Sequence, residues 1–204
     1  MRTPNMTTLI CVSLSALVLF SGCAPTTRVQ RIDDRSIVDL SGQWNDTDSQ
    51  MVADEMIVQC LQDPWSNHFY AQTGNRPVVI VGTIFNKTDE HIDANIFISD
   101  LERELMNRNA VRFVSAGAMR DELRAERQSQ QDYASAATRK RLREELGADF
   151  MLQGTIGKIV DAEGNKQVNF YQVDLTLVDL ETTEKIWIGQ KKIKKLVQKS
   201  GIGF

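Results

Sequence analysis

The sequence predicts an α+β (α/β) domain in which a mixed β-sheet is flanked by helices and ends in an antiparallel three-strand meander. Two patterns in the sequence support this prediction. Up to about residue 146, apolar residues at helical spacing alternate with short β-branched runs, whereas residues 150–197 change to a period of two. The predicted order of elements is therefore αβαβααβββ, and such an order packs helices against a sheet.

The first predicted helix covers "NDTDSQMVADEMIVQCL", residues 45–61. Asp46, Thr47 and Asp48 offer side-chain oxygens for its N-cap. The apolar positions recur at near-helical spacing, and Cys60 lies among them, so we expect Cys60 to be a small buried hydrophobe. The following segment, residues 62–76, is predicted to be an aromatic-rich connection between Pro64 and Pro77.

Two further helical segments precede the meander. "DANIFISDLERELMNRN", residues 93–109, is amphipathic, and Ile96, Leu101 and Leu105 are expected to face the core. Residues 117–146 are predicted to be helical with a polar interruption, and Gly147 is the expected C-cap.

Five strands are predicted. "VVIVGTIF" is a continuous β-branched run of the kind that is buried on both faces, and "VRFVSA" is a second, short strand. The last three strands are joined by the turns "AEGN" and "LETT". In the middle one, alternate residues form a core face (Tyr171, Val173, Leu175, Leu177) and a face that is lightly covered or wet (Phe170, Gln172, Asp174, Thr176).

The N-terminus has the pattern of an export signal. An apolar stretch from Leu9 to Phe20 is too short to span a bilayer and ends on Ser21, Gly22 and Cys23. This end resembles a bacterial lipobox, which implies cleavage after residue 22 and a lipid (diacylglycerol and a further acyl chain such as palmitate) on Cys23. Because residue 24 is alanine and not the aspartate that retains enteric lipoproteins in the inner membrane, the resemblance implies the periplasmic face of the outer membrane.

The domain organisation follows from this signal. We expect residues 1–22 to be a signal peptide, residues 23–45 a lipidated N-terminus with a short tether, and residues 46–204 one globular domain. At about 3.3 Å per residue, a tether of roughly 20 residues reaches at most about 70 Å. With Cys23 acylated, the domain keeps only Cys60 and is held together by its apolar core without a disulfide.

Composition and motifs argue against several function classes. The formal net charge of −3 provides no strong field for nucleic acid. His68 and His91 have no CxxC or HExxH context, and no nucleophile elbow or phosphate loop is present, so we expect no metal, no cofactor and no enzymatic activity.

Two sets of residues are candidates for binding a partner. Trp65, Phe69 and Tyr70 fall within six positions, and large aromatic residues commonly anchor protein interfaces. The alternative is that they pack over the end of the sheet. Four lysines of the last strand could contact an acidic partner or peptidoglycan, or could instead protect a sheet edge from aggregation: Lys191, Lys192, Lys194 and Lys195.

A family resemblance extends over residues 39–195. "DLSGQWNDTDS", "RPVVIVGTIFNKTDEHID", "RFVSA", "GADFMLQGTI" and "FYQVDLTLVDLETTEKIWIGQKKIKK" occur in the order found in LpoB-like outer-membrane lipoproteins. The resemblance implies a fold like the N-terminal domain of TolB and part of CsgG. It also implies a non-enzymatic function: binding and activation of a bifunctional (class A) penicillin-binding protein, and so regulation of peptidoglycan synthesis and cell shape.

The tether is shorter than the long proline-rich tether of the enteric family members. Two alternatives therefore stay open at this point: an envelope scaffold that binds peptidoglycan or another envelope protein without regulating a synthase, and a CsgG-like secretion component. The second would need amphipathic membrane-crossing hairpins, and the predicted meander carries many charges on its exposed side.

Overall fold

The computed structural model describes residues 28–33, 36–135, 137 and 145–199. The chain divides into two units, Met1–Ser36 and Ile37–Phe204. In the first unit, the described residues 28–33 and 36 form no helix or strand. The second unit contains the elements that follow.

Four helices and five strands lie in the described part of the second unit. In chain order they are α1 (Asp46–Gln62), α2 (Trp65–Thr73), β1 (Val78–Asn86), α3 (Ala94–Asn107), β2 (Arg112–Phe113), α4 (Gly117–Tyr133), β3 (Phe150–Glu163), β4 (Lys166–Asp179) and β5 (Lys185–Gln198).

The strands form one mixed sheet in the order β2-β1-β3-β4-β5. β1 pairs in parallel with β2 and with β3, whereas β3, β4 and β5 form an antiparallel meander. The predicted fold class, an α+β domain with a mixed sheet and a C-terminal meander, is confirmed. Each strand of the meander has 14 residues, so the antiparallel part of the sheet extends well beyond the parallel part.

The core lies between α1, α3 and one face of the sheet. The predicted inward residues of β4, from Tyr171 to Leu177 at every second position, are all buried, and the alternate residues are only partly covered. Cys60 is buried on α1 as expected. The first four residues of β1 are buried on both faces, as its continuous apolar run predicts.

The cap of α1 differs from the prediction. Asn45, one residue earlier than the predicted group, is the N-cap: its side chain accepts from the backbone N–H of Asp48 at 3.0 Å. The Asp48 carboxylate accepts in return from the N–H of Asn45 at 3.0 Å. This reciprocal capping box uses two otherwise unpaired donors, which is why Asn45 and not Asp46 or Thr47 caps the helix.

Four other expectations need correction. Residues 65–73 form helix α2 and not an irregular connection; the helix is too short for its period to be evident and ends at Gly74, which has a φ of 71°. On α3, Phe97 is buried with Leu101 and Leu105, and Ile96 is exposed, because positions 97, 101 and 105 are spaced by four.

The second predicted strand and the last predicted helix are both shorter than expected. β2 has two residues in place of the predicted 111–116. α4 ends at Tyr133 with Ala134 as its C-cap, so Gly147 does not cap it. Most of residues 136–144 lie outside the described part of the chain.

Candidate functional site

The three candidate aromatic residues differ in accessibility. Trp65 is only 6% exposed; its indole N–H donates to the carbonyl of Cys60 at 2.7 Å, and its ring meets Phe150 edge to face at 5.2 Å. Phe69 is partly buried and lies 5.4 Å from the same Phe150 ring. Only Tyr70 is accessible, with 56% of its surface exposed. Trp65 and Phe69 therefore pack over the end of the sheet, and Tyr70 is the aromatic residue that a partner can reach.

The four candidate lysines are divided between the two faces of β5. Because side chains alternate along a strand, Lys191 and Lys195 lie on the face that packs against α1, whereas Lys192 and Lys194 lie on the opposite, open face. Lys191 forms an ion pair with Glu55 of α1. Lys191 and Lys195 therefore act within the domain, and the exposed charges are those of Lys192 and Lys194.

Lys195 holds the segment before α1 against β5. Its ammonium lies 2.6 Å from Asp39 and 2.5 Å from Asp48, and it donates to the carbonyl of Gln43 at 3.0 Å. Burial acts to lower the pKa of Lys195, but the hydrogen bonds to Asp39 and Asp48 outweigh it, so the pKa is raised. Residues 39–45 are thereby fixed on the domain.

The open face around Lys194 is partly apolar. The Lys194 ammonium lies 5.8 Å from the centre of the Phe170 ring. Ile159, Phe170 and Lys194 are directly opposite one another on β3, β4 and β5. This row lies nine residues along β3 from Phe150, the residue against which α2 packs. At about 3.3 Å per residue, about 30 Å separates Phe150, where α2 packs, from the row of Lys194, so Tyr70 on α2 and Lys194 belong to two surfaces and not to one site.

A buried polar cluster connects several distant parts of the chain. Glu90 accepts from the Tyr171 hydroxyl at 2.5 Å and from the backbone N–H of Trp44 at 3.0 Å, and it lies 2.8 Å from the Lys158 ammonium. The Trp44 ring packs edge to face on Tyr171 at 5.7 Å. Sequence reasoning missed this cluster because its members are far apart in the chain and no local spacing marks them.

The cluster shifts the acidity of its members. Burial acts to raise the pKa of Glu90, but the hydrogen bonds from Lys158, Tyr171 and Trp44 outweigh it, so the pKa is lowered and the carboxylate stays charged. Burial and the bond to Glu90 raise the pKa of Tyr171. Each group is satisfied within the domain, so the cluster stabilises the fold and does not present a free acid or base.

The described residues offer little chemistry for catalysis or metal binding. Burial raises the pKa of Cys60 to about 12, so its thiol is protonated at neutral pH and protected from reagents. Within residues 28–33, 36–135, 137 and 145–199, no three His, Cys, Asp or Glu side chains are grouped to hold a metal ion. No helix in that part of the chain is long and apolar enough to cross a membrane. Cys23 and the predicted signal peptide lie outside the described residues.

These features define an α+β domain with two separate accessible regions, one on helix α2 around Tyr70 and one on the open face of the sheet around Lys192 and Lys194. Comparison with protein families identifies a match over residues 48–193 to the family described as peptidoglycan-synthase activator LpoB. The match covers more than half of the chain, and the chain therefore belongs to the LpoB family. The family's role is the activation of a peptidoglycan synthase.

Solved structures of low sequence identity are similar to this chain. The C-terminal domain of LpoB from Salmonella enterica has a TM-score of 0.40 at 19% identity, and the match covers 74% of this chain and 99% of that one. The NMR structure of LpoB from E. coli has a TM-score of 0.40 at 15% identity, with 88% and 86% covered. Lipoprotein GNA1162 from Neisseria meningitidis has a TM-score of 0.38 at 15% identity, with 62% and 88% covered. Comparison with curated protein sequences gives no significant match.

Proposed function

We propose that this protein is a lipid-anchored, non-enzymatic activator of a bifunctional (class A) penicillin-binding protein. The observation that supports the proposal is the family match over residues 48–193, which takes in all four helices, apart from the first two residues of α1, and most of the sheet. The proposed activity requires binding and no chemistry.

The proposed anchor is an acylated Cys23 in the periplasmic face of the outer membrane. Two or more acyl chains hold a protein on a bilayer far more firmly than one chain does. The anchor confines the domain to a thin layer and raises its effective concentration near the cell wall. The tether leads from Cys23 toward Asp39, which forms an ion pair with Lys195.

The proposed mechanism is a shift in the conformation of the synthase. A bound activator changes that equilibrium only by as much as its affinity differs between the two conformations. The contact that we propose is the exposed surface of α2 around Tyr70, because a large aromatic side chain on a rigid helix has the character of an interface anchor.

The test is glycan-strand polymerisation on lipid II by the purified class A synthases of the same organism, with and without the chain from residue 23 onward. We expect a saturable increase in rate. Tyr70→Ala should raise the half-saturating concentration at least about tenfold, as expected for the loss of an interface anchor. Tyr133→Ala is the matched control, because Tyr133 is also an exposed tyrosine near the end of a helix and lies outside the proposed contact.

Two results would contradict the proposal in different ways. Equal loss of stimulation with Tyr133→Ala and Tyr70→Ala would contradict the proposed contact on α2 but not the proposed activator function. A chain that stimulates no synthase but sediments with isolated peptidoglycan sacculi would instead be an envelope scaffold.

A further inference from the structure

The position at which the N-terminal segment joins the fold is fixed at one end of the sheet. Asp39 is held by Lys195, and the Asn169 side chain donates to the carbonyl of Gly42 at 2.8 Å. Gly42 has a φ of 71°, and a Cβ there would collide with Val197, so the chain turns in close contact with β5. Any tether from Cys23 therefore reaches the domain beside the C-terminal end of β5.

Large apolar side chains are exposed at this same end. Leu40 is 93% exposed, Leu196 of β5 is 68% exposed and Ile159 of β3 is 65% exposed. Leu40 and Leu196 line one shallow hollow together with Lys194. Ile159 lies on the open face beside Phe170. Single exposed leucines are ordinary, but several large apolar residues exposed at one end of a sheet are typical of an interaction surface.

The charge around these apolar residues is mainly positive. Lys192 and Lys194 are exposed on the open face, and neither forms an ion pair within the described part of the chain. Exposed Lys166 and Lys199 lie at the adjoining strand ends. The nearby exposed acids are Asp161, Glu163 and Asp39, and Asp39, which lines the hollow, is paired with Lys195. We name Leu40, Ile159, Phe170, Lys192, Lys194 and Leu196 the tether-end face.

We infer that the tether-end face docks on the surface of an anionic lipid bilayer. The inference rests on the lipid anchor proposed above. About 16 residues separate Cys23 from Asp39, and a chain of this length reaches at most about 53 Å when fully extended. The anchor therefore holds this end of the sheet near the bilayer at high effective concentration. Apolar side chains bordered by lysines are the combination that binds an anionic lipid interface.

The same charges disfavour a second copy of the chain as the occupant. Two tether-end faces placed together would bring Lys192 and Lys194 of both copies close to each other, and like charges at an interface oppose association. An anionic bilayer has the complementary charge and is continuous with the anchor.

Docking in this way would orient the domain. The sheet would stand with the tether-end face on the lipid, and α2 with Tyr70, about 30 Å along the strands, would point away from the bilayer. The length of the meander would then add to the reach of the short tether toward a partner.

The test is flotation of the chain from residue 23 onward, carrying Cys23→Ala so that no lipid is attached, with vesicles of phosphatidylcholine alone or mixed with phosphatidylglycerol. We expect binding only to the vesicles with phosphatidylglycerol. Lys192→Glu/Lys194→Glu should lower the partition coefficient at least about tenfold, and Leu196→Asp should lower it as well. Lys87→Glu/Lys185→Glu is the matched control with the same charge change at exposed lysines outside the face, and it should keep most of the binding.

Three results would overturn the inference: no binding of the parent chain to the anionic vesicles, an equal loss with the control variant, or binding to isolated sacculi and not to vesicles. The mass of the N-terminal peptide from cells reports acylation of Cys23 independently. Acylation of Cys23 without vesicle binding would support the proposed anchor and contradict docking by the tether-end face. Vesicle binding with an unmodified Cys23 would contradict the anchor and support binding by the face.

Discussion

Glu90 is the residue at which three distant segments of the chain meet. Its carboxylate accepts from the N–H of Trp44 and from the hydroxyl of Tyr171, and it pairs with the ammonium of Lys158. A buried charge of this kind is tolerated only when it is paired and hydrogen-bonded, because an unpaired buried charge is costly. The cluster therefore determines which conformation the loop after β1 and the segment before α1 adopt.

Tyr171→Phe removes one member of this cluster without changing its shape. A hydrogen bond to a charged group contributes about 1.5–3 kcal/mol, so the free energy of unfolding should fall by about that amount. Urea denaturation followed by circular dichroism measures the change. Tyr70→Phe, in which the tyrosine is exposed on α2, is the control and should alter stability by less than about 0.5 kcal/mol. Equal effects of the two substitutions would refute the role of the cluster.

The pH dependence of stability should also reflect the ionisation of Glu90. The folded pKa of Glu90 is lowered from 4.5, so its contribution is present above about pH 4.5 and is lost as the pH falls through the folded value. The pKa of Lys158 is raised, so its contribution is present below its unfolded pKa and is lost only as the pH rises through the higher folded value. Between these limits, stability should change little with pH.

Glu90→Gln tests this assignment. The variant should lose stability at neutral pH, and its stability should fall less steeply than that of the parent chain between about pH 5 and pH 3. Thermal unfolding at a series of pH values measures both effects. Parallel curves for the two proteins would show that other carboxylates account for the acid sensitivity.

At the level of the elements, close backbone approach explains one glycine of β3. A Cβ on Gly154 would meet the carbonyl oxygen of Asp174 on β4 and lie 2.6 Å from the Leu175 side chain. Gly157, three residues later in the same strand, is different: a Cβ there would have only the Gln172 carbonyl within reach, at an ordinary 3.8 Å. The two glycines of "GTIG" therefore have separate roles, and neither belongs to a phosphate loop.

Gly154→Ala should be destabilising because the added methyl group would clash with the backbone carbonyl of Asp174 on the neighbouring strand β4. We expect a loss of about 1–3 kcal/mol and a lower thermal midpoint, as for other overpacked sites. Gly157→Ala is the matched control in the same strand, and calorimetry should show little change or a small gain. A similar loss in both variants would mean that flexibility, and not close approach, is what β3 requires from glycine.

At the level of the whole molecule, Lys195 connects residues 39–48 to the last strand, β5. Lys195 forms ion pairs with Asp39 and Asp48, which lie far earlier in the chain, and its side chain is almost fully buried. The lysine run of β5 is thus not a uniform charged edge: alternate residues hold the domain together, and the others are exposed.

Lys195→Met should be strongly destabilising, because it leaves the buried Asp48 carboxylate without its cation. Removing one partner of a buried ion pair costs about 3–5 kcal/mol. Lys192→Met, on the open face of the same strand, is the control and should change the free energy of unfolding by less than about 0.5 kcal/mol. Limited proteolysis should also cut the segment around residues 39–45 faster in Lys195→Met than in the control. No difference between the two variants would show that the tie does not hold this segment.

The sequence by itself determined the fold class, the meander and its buried face, because these follow from local features of the chain: the alternation of apolar and polar residues with a period of two, and the turn residues between the strands. It also carried the family, through motifs in order along the chain. The tertiary structure alone decided which residues of each motif are accessible. Trp65 and Tyr70 are equally aromatic in the sequence, and Lys194 and Lys195 are equally basic; only packing against Phe150 and pairing with Asp39 and Asp48 separate them. Such contacts join residues far apart in the chain, and their free energy exists only once the whole core has formed.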